Sequence, residues 1–431
     1  MDEVSAYAEV KLWGRTVGAV AELATGRIVF EYDDVFRRSG LEISPFHLPL
    51  SVAGPRTFDE LLRRPGFQGL PGVLADSLPD AFGNRVIRAY FAARGQEERA
   101  LSPVQRLLYV GERGIGALTF HPATDVELRH AESEALAIAD LVQDARRIVE
   151  GEPAVTVPEI YRIGSSAGGM RPKAVVLFNP ATREIRSAYA TPQPGDVPAL
   201  LKFDGVGDGA QQDRLGQPSP FNRVEAAYGK LARTAGIDME KIIVLETDGY
   251  AHLVIPRFDI AEGRRRRHQH SLGGLLHVDF NEPGAASYEE YLRAILRLGM
   301  TQSSVEEGYR RMVFNVLAVN QDDHVKNLSF HMDASGDWSL TPAYDVTFAR
   351  GRGWTAEHQM RVQDKTRDIR LSDLLRVANL FGIRRARRFI DAVAEALTGW
   401  ENAAAECAVP AATVRTVRAA LDARWRELNR T

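Results

Sequence analysis

The stretch from Val319 to Asp345 limits what this chain can become more than any other, because it sets five polar groups (Asp322, Asp323, Lys326, Asn327 and Asp345) among apolar segments. Asp322 and Asn327 stand five positions apart, and Asp345 follows the strand-like run Trp338-Ser339-Leu340-Thr341. Two carboxylates and an amide oxygen are hard ligands suited to a divalent cation, and a lysine beside them supplies a fixed positive charge. Such a set suits a reaction in which phosphoryl charge must be neutralised. The plainer reading is an Asx-rich turn between a helix and a hairpin. A turn has no need of the lysine, the asparagine and the distant aspartate together, so the chemical reading is preferred.

The interval from Asp322 to Asn327 equals that between the catalytic aspartate and the metal-binding asparagine of protein kinases, whose second metal ligand is a later aspartate. On that pattern Asp322 orients the attacking hydroxyl and accepts its proton, Lys326 is the catalytic cation, and Asn327 with Asp345 holds Mg2+ bound to ATP. His324, between them, joins the nucleotide-binding candidates.

At 431 residues the chain is too long for one core, and two or three domains are expected. With 54 Lys and Arg against 57 Asp and Glu, net charge −3, nothing global advertises a nucleic acid or a membrane surface. The single cysteine, Cys407, excludes an internal disulfide framework and fits a reducing compartment. The N-terminus lacks a signal-type apolar run, and no stretch of about 18 apolar residues occurs. A soluble, cytoplasmic protein is expected.

From the N-terminus, two runs rich in Val, Ala and Leu between Tyr7 and Arg27, broken at Gly14-Arg15, and a third at Ile28–Tyr32 predict a small antiparallel sheet. In Asp76-Ser77-Leu78-Pro79-Asp80 the simplest reading is a turn and helix cap, with Ser77 or Asp80 accepting from free N–H groups. Glu132 to Glu150 carries a helical apolar period and reads as a helix linking into a second domain.

The segment Tyr161 to Phe178 holds a loop of Gly164, Ser165, Ser166, Ala167, Gly168 and Gly169, then Arg171-Pro172-Lys173 and an apolar strand. Glycines let backbone approach phosphates closely, and Lys173 makes the loop cationic. Alone, this is as well read as a hairpin turn. Lys202 lies inside the apolar run Pro198–Phe203, where an unpaired ammonium is costly, so it needs a partner: nucleotide phosphates together with Glu225, or water at a sheet edge. The run His252–Asp259 ends a strand where a hinge between lobes would fall, with carbonyls placed for an adenine and Arg257 and Phe258 beside them. Arg264–Arg267 reads as a solvated turn. Helices are expected over Tyr288–Leu298, Val305–Val319, Leu371–Phe381, Arg384–Thr398 and Ala411–Leu428, while His358 and Lys365 fall in a loop able to line a substrate groove.

Six segments in order, GLPGVLADSLPDAFGNR, GSSAGGMRPKA, LLKF, VIPRFD, NQDDHVKN and LTPAYDV, resemble the HipA family of serine/threonine-protein kinase toxins over nearly the whole length. The resemblance implies an α+β, two-lobed protein-kinase-like fold with a small N-terminal β-rich domain (1–125), a kinase N-lobe (126–256) and a mostly helical C-terminal lobe (257–431). It puts the catalytic aspartate on Asp322, the metal ligands on Asn327 and Asp345, and the nucleotide-binding lysine on Lys202. It implies autophosphorylation within the Gly-rich loop, on Ser165 or Ser166, that switches the enzyme off. Implied partners are a small helix-turn-helix antitoxin of the HipB type, operator DNA reached mainly through it, and a translation-related protein substrate, in some members an aminoacyl-tRNA synthetase, whose phosphorylation arrests growth and underlies persistence. Asp323 departs from the family by adding a second carboxylate beside the catalytic one, and GGMRPK lengthens the loop. Two other readings stay open: a catalytically weak regulator binding antitoxin and DNA, and a small-molecule phosphotransferase.

Overall fold

The computed structural model describes residues 3–92, 101–124, 136–152, 171–207, 215–261 and 264–430. The Gly-rich loop at 164–169, with Ser165 and Ser166, lies outside them. The chain divides into two compact units: residues 1–219 with 243–270 and 333–336, and residues 220–242 with 271–332 and 337–431.

The first unit opens on a five-stranded antiparallel sheet of β1 (Val4–Leu12), β2 (Arg15–Leu23), β3 (Ile28–Tyr32), β4 (Arg56–Thr57) and β5 (Leu118–His121), in the order β4-β3-β2-β1-β5. Alternation of buried and half-exposed residues along β1 and β3 turns one face inward, as the β-branched and aromatic residues there dictate. At Gly18 a Cβ would stand 2.1 Å from the Glu31 carbonyl, so only glycine permits the β2–β3 approach.

A second sheet in the same unit joins β6 (Lys173–Phe178), β7 (Ile185–Ser187), β8 (Val197–Lys202), β9 (Ile243–Thr247) and β10 (Tyr250–Pro256), ordered β7-β6-β8-β10-β9. All six residues of β6 are buried. The helices Ala81–Ala92 and Ile138–Glu150 pack on this sheet, bringing Phe82, Val86, Leu141 and Ala145 against Val176, Leu201 and Val254 in one core. The second of them is the helix expected to link two domains. It is instead an integral part of this core, because its apolar stripe has the sheet to bury against.

The Asp76–Asp80 segment caps as expected, Asp80 Oδ1 accepting from the Gly83 N–H at 2.7 Å. Asp76 has a further role, its carboxylate meeting His270 Nδ1 at 2.7 Å while His270 Nε2 meets Ser44 Oγ at 3.0 Å. This buried chain ties three distant segments together. In the arginine run, Arg264, Arg265 and Arg267 are exposed as a solvated turn requires, but Arg266 turns inward, donating to the carbonyls of Glu112 and Gly114.

The second unit is mostly helical: Phe221–Thr234, Tyr288–Arg297, Gln302–Leu317, Leu371–Leu380, Ala386–Thr398, Trp400–Glu406 and Ala411–Leu428, with a hairpin of Ser329–Met332 and Trp338–Leu340. Tyr228, Phe314 and Trp400 form its aromatic centre, Tyr228 meeting Trp400 edge-on at 5.6 Å. The helix Trp400–Glu406 was not expected from sequence. Among the described residues no helix is long and apolar enough to cross a membrane.

Candidate active site

The helix Gln302–Leu317 delivers the chain to the site, and Val319, at φ +57°, turns it sharply out. Asn320 fastens the turn by donating from Nδ2 to Asn315 Oδ1 at 3.0 Å, and the Gln321 N–H reaches the Ala349 carbonyl at 2.9 Å. Residues Val325–Asn327 form a single 3-10 turn that leads into the hairpin. The short helix Leu272–Leu276 lies against this turn, and a Cβ on Gly273 would stand 2.8 Å from Val325 Cγ2 and 3.0 Å from the Val278 carbonyl. Glycine is therefore what lets the helix brace the loop.

Asp322 and Asp323, neighbours in sequence, have opposite surroundings. The Asp323 side chain is fully buried, and accepts from the Tyr288 hydroxyl at 2.8 Å, the Gln359 main-chain N–H at 2.8 Å and His358 Nδ1 at 2.9 Å. Asn315 Nδ2 donates in turn to the Tyr288 hydroxyl at 2.9 Å. A carboxylate so saturated holds the loop and has little capacity left for a substrate proton. Asp322 accepts at Oδ1 from the Trp354 indole N–H at 2.8 Å. Burial pushes its carboxyl up from the ordinary range and the nearby Asp345 and Asp323 add to that, while His324 and the indole N–H oppose. His324 is pushed down by burial, with Asp322 and Asp345 opposing.

Asn327 donates from Nδ2 to the Asp322 carbonyl at 2.9 Å, which fixes the amide and turns Oδ1 away from that bond. Asn327 and Asp345 line one small cavity of about 20 Å³ with Asn320, Asp323 and Tyr344. Asp345 holds φ +51°, a left-handed conformation that an aspartate tolerates better than most residues. Tyr344 donates to the Lys326 carbonyl at 2.5 Å, and Lys326 Nζ stands 4.9 Å from the Phe280 ring centre. Phe280, His324 and Trp354 continue as a wall of rings, with centres 5.6 Å and 6.5 Å apart. No group of three or more His, Cys, Asp or Glu able to hold a metal occurs among the described residues. Mg2+ on a nucleotide does not require one, since it takes one or two protein oxygens and completes its shell with phosphates and water. An Asn oxygen and a carboxylate fit that demand, and mutual repulsion between Asp322 and Asp345 is what a cation would relieve.

Lys173, Lys202, Arg257 and Phe258 belong to the first unit. Lys173 and Lys202 stand directly opposite each other on β6 and β8, and so share a face of the sheet. The Asp80 carboxylate lies 3.4 Å from Lys173 Nζ, with both side chains almost wholly buried. Arg257 forms a two-pronged ion pair with Asp259 at 2.9 Å and 2.6 Å, and Phe258 follows it at the end of β10. Of the loop residues considered for a substrate groove, His358 is buried on Asp323, and Lys365 pairs with Asp373 at 2.8 Å. Sequence reasoning missed Tyr288, Asn315, Trp354 and Gln359. Tyr288, Trp354 and Gln359 lie far from Asp322 along the chain, and Asn315, seven positions before it, sits inside the preceding helix, so no spacing signals any of them.

A β-rich N-terminal region, a second five-stranded sheet and a helical C-terminal part carrying the Asp–Asn loop define a mixed α/β architecture, one shared with a solved HipA toxin. Residues 165–400 match the HipA-like C-terminal domain and residues 8–121 the HipA N-terminal domain. The chain belongs to the HipA family. Among solved structures it is similar to the HipA toxin of Shewanella oneidensis MR-1 in a complex with HipB and operator DNA, at 19% identity and a TM-score of 0.66, over 97% of this chain and 96% of that one. The proinflammatory kinase CtkA of Helicobacter pylori matches at 12% identity and a TM-score of 0.32, over 57% of this chain and 94% of that one, too distant a likeness to bear on the site. A comparison with curated proteins finds no match.

Proposed function

We propose that this protein is a Mg·ATP-dependent serine/threonine-protein kinase and the toxin of a toxin–antitoxin pair. The observation that carries the reading is the division of labour on one loop: Asp323 saturated as its anchor, Asp322 left with acceptor capacity, and Asn327 and Asp345 sharing a cavity. In this reading Asp322 takes the proton of the acceptor hydroxyl, Lys326 holds positive charge beside the transferred group, and Asn327 and Asp345 hold Mg2+. Bound Mg2+ supplies charge neutralisation for the transferring phosphoryl group. Lys173 and Lys202, with the loop Gly164, Ser165, Ser166, Ala167, Gly168 and Gly169, bind the ATP phosphates. Arg257, Phe258 and His324 border the nucleotide. Lys173 and Lys202 set two ammonium groups on one sheet face, with the Asp80 carboxylate beside Lys173, and such a pair of cations suits the charge of nucleotide phosphates.

Self-phosphorylation on Ser165 or Ser166 would place a dianion among the main-chain N–H groups meant for ATP, and so switch the enzyme off. A small helix-turn-helix antitoxin of the HipB type is the expected partner, with operator DNA reached mainly through it. A translation-related protein, such as an aminoacyl-tRNA synthetase, is the expected substrate. The complex in which the Shewanella protein was solved supports the antitoxin and the operator DNA, while the substrate is carried over from the family resemblance alone. Transfer of labelled γ-phosphate from ATP to protein, present with Mg2+, lost with EDTA and lost in Asp322→Asn, tests it. Transfer by Asp322→Asn at the wild-type rate would end the assignment of Asp322.

A further inference from the structure

Trp354 is 36% exposed, yet its indole N–H is aimed at the Asp322 carboxylate, 2.8 Å from Oδ1. An indole can donate but never accept, so it occupies one carboxylate oxygen without competing for a proton. Its position is braced from behind. The Gln359 side-chain amide is buried and donates to the carbonyls of Trp354 at 2.5 Å and Glu357 at 3.0 Å, while the Gln359 main-chain N–H is held by Asp323. One residue therefore locks the Trp354 segment to the segment bearing Asp322. The ring also ends the aromatic wall of Phe280 and His324, shielding that side of the carboxylate.

We propose that Trp354 is a positioning residue for phosphoryl transfer: by occupying Oδ1 of Asp322 it fixes the carboxylate in one orientation and leaves Oδ2 alone to receive the acceptor hydroxyl. The inference rests on the kinase reading of Asp322. It assigns a role to a residue outside the six family-like segments, and explains why a partly exposed indole stands over a half-buried carboxylate. A carboxylate free to rotate would offer either oxygen at varying distance, and rates fall steeply with such misplacement.

Trp354→Phe keeps the ring and removes the donor. Measured as self-labelling from γ-labelled ATP with Mg2+, the variant should show a maximal rate reduced about 10-fold, with the half-saturating ATP concentration and the melting temperature unchanged. A purely structural tryptophan would move the melting temperature and leave no such split. The contact is read independently of activity in full-length protein labelled with 15N-tryptophan, where the Trp354 indole resonance, identified by its loss in Trp354→Phe, should shift when Asp322→Ala removes the acceptor. An active wild type with Trp354→Phe equally fast overturns the proposal, and so does an indole resonance indifferent to Asp322→Ala. A wild type that transfers no phosphate would count against the kinase reading instead, with the indole resonance still deciding whether the contact that the proposal requires is formed.

Discussion

Exchanging each of the two adjacent aspartates for asparagine separates architecture from chemistry. Asp323 is a fully buried acceptor of three hydrogen bonds, from Tyr288, Gln359 and His358. An asparagine there keeps one oxygen, and its new NH2 group must face a donor already aimed at that place. Hydrogen bonds to a charged acceptor contribute about 1.5–3 kcal/mol each, and a buried donor left unmatched costs about 1–3 kcal/mol. With one or two of these hydrogen bonds broken, Asp323→Asn should destabilise the protein by about 3 kcal/mol. Asp322→Asn keeps an oxygen for the Trp354 N–H and buries no new mismatch, so its cost should stay below about 1 kcal/mol. Activity should divide differently, Asp322→Asn losing roughly 10²–10⁴ in transfer rate while remaining folded. Urea unfolding followed by fluorescence gives the stabilities, and labelled-phosphate transfer gives the rates. If Asp323→Asn unfolds at the wild-type urea midpoint, the anchoring argument is refuted. If Asp322→Asn is the less stable of the two, the roles have been assigned to the wrong neighbours.

Three further outcomes follow from the geometry. Burial pushes the His252 imidazole down to about 4, and its Nδ1 accepts from the Asp204 N–H at 3.1 Å, so the folded protein holds it neutral. Its contribution is complete above the ordinary histidine value near 6.5 and declines as pH falls from there toward 4, by about 3 kcal/mol in all; His252→Gln should flatten the fall in stability over that window, and an unchanged slope would contradict it. Gly273→Ala, with its Cβ 2.8 Å from Val325 and 3.0 Å from a carbonyl, should cost about 1–3 kcal/mol by calorimetry and slow phosphate transfer, whereas a neutral effect would show that the helix does not brace the loop. Asp345→Asn should raise the Mg2+ concentration needed for half-maximal rate at least about 10-fold, read by Mg2+ titration at fixed ATP, with an unaltered requirement removing Asp345 from the metal site.

Much of the fold was legible because its elements carry their reasons locally. The three N-terminal strands announce themselves by β-branched alternation and glycine breaks, and the helix Tyr288–Arg297 by its period and by Ser287 and Glu290 closing a capping box at its start. The helix Ile138–Glu150 shows the limit: its period gives the helix, but only the sheet it covers says that it is core. Trp400–Glu406 was hidden because it directly follows a longer helix, parted from it at Gly399 alone. At the candidate site, residue types and the Asp322-to-Asn327 spacing could be read from the chain, whereas the contrast between Asp322 and Asp323 could not. That contrast comes from Tyr288, Trp354 and Gln359, which tertiary packing brings in from other segments. Asp80 is a similar case, a helix cap in sequence that also sets its carboxylate 3.4 Å from Lys173.

Intact-mass spectrometry of purified wild-type and Asp322→Asn proteins after incubation with Mg·ATP, followed by peptide mapping of residues 164–173, bears most directly on the central claim. One added phosphate is expected in the wild type, on Ser165 or Ser166, and none in Asp322→Asn. Phosphate gained equally by both proteins, or by neither while nucleotide still binds, would contradict it.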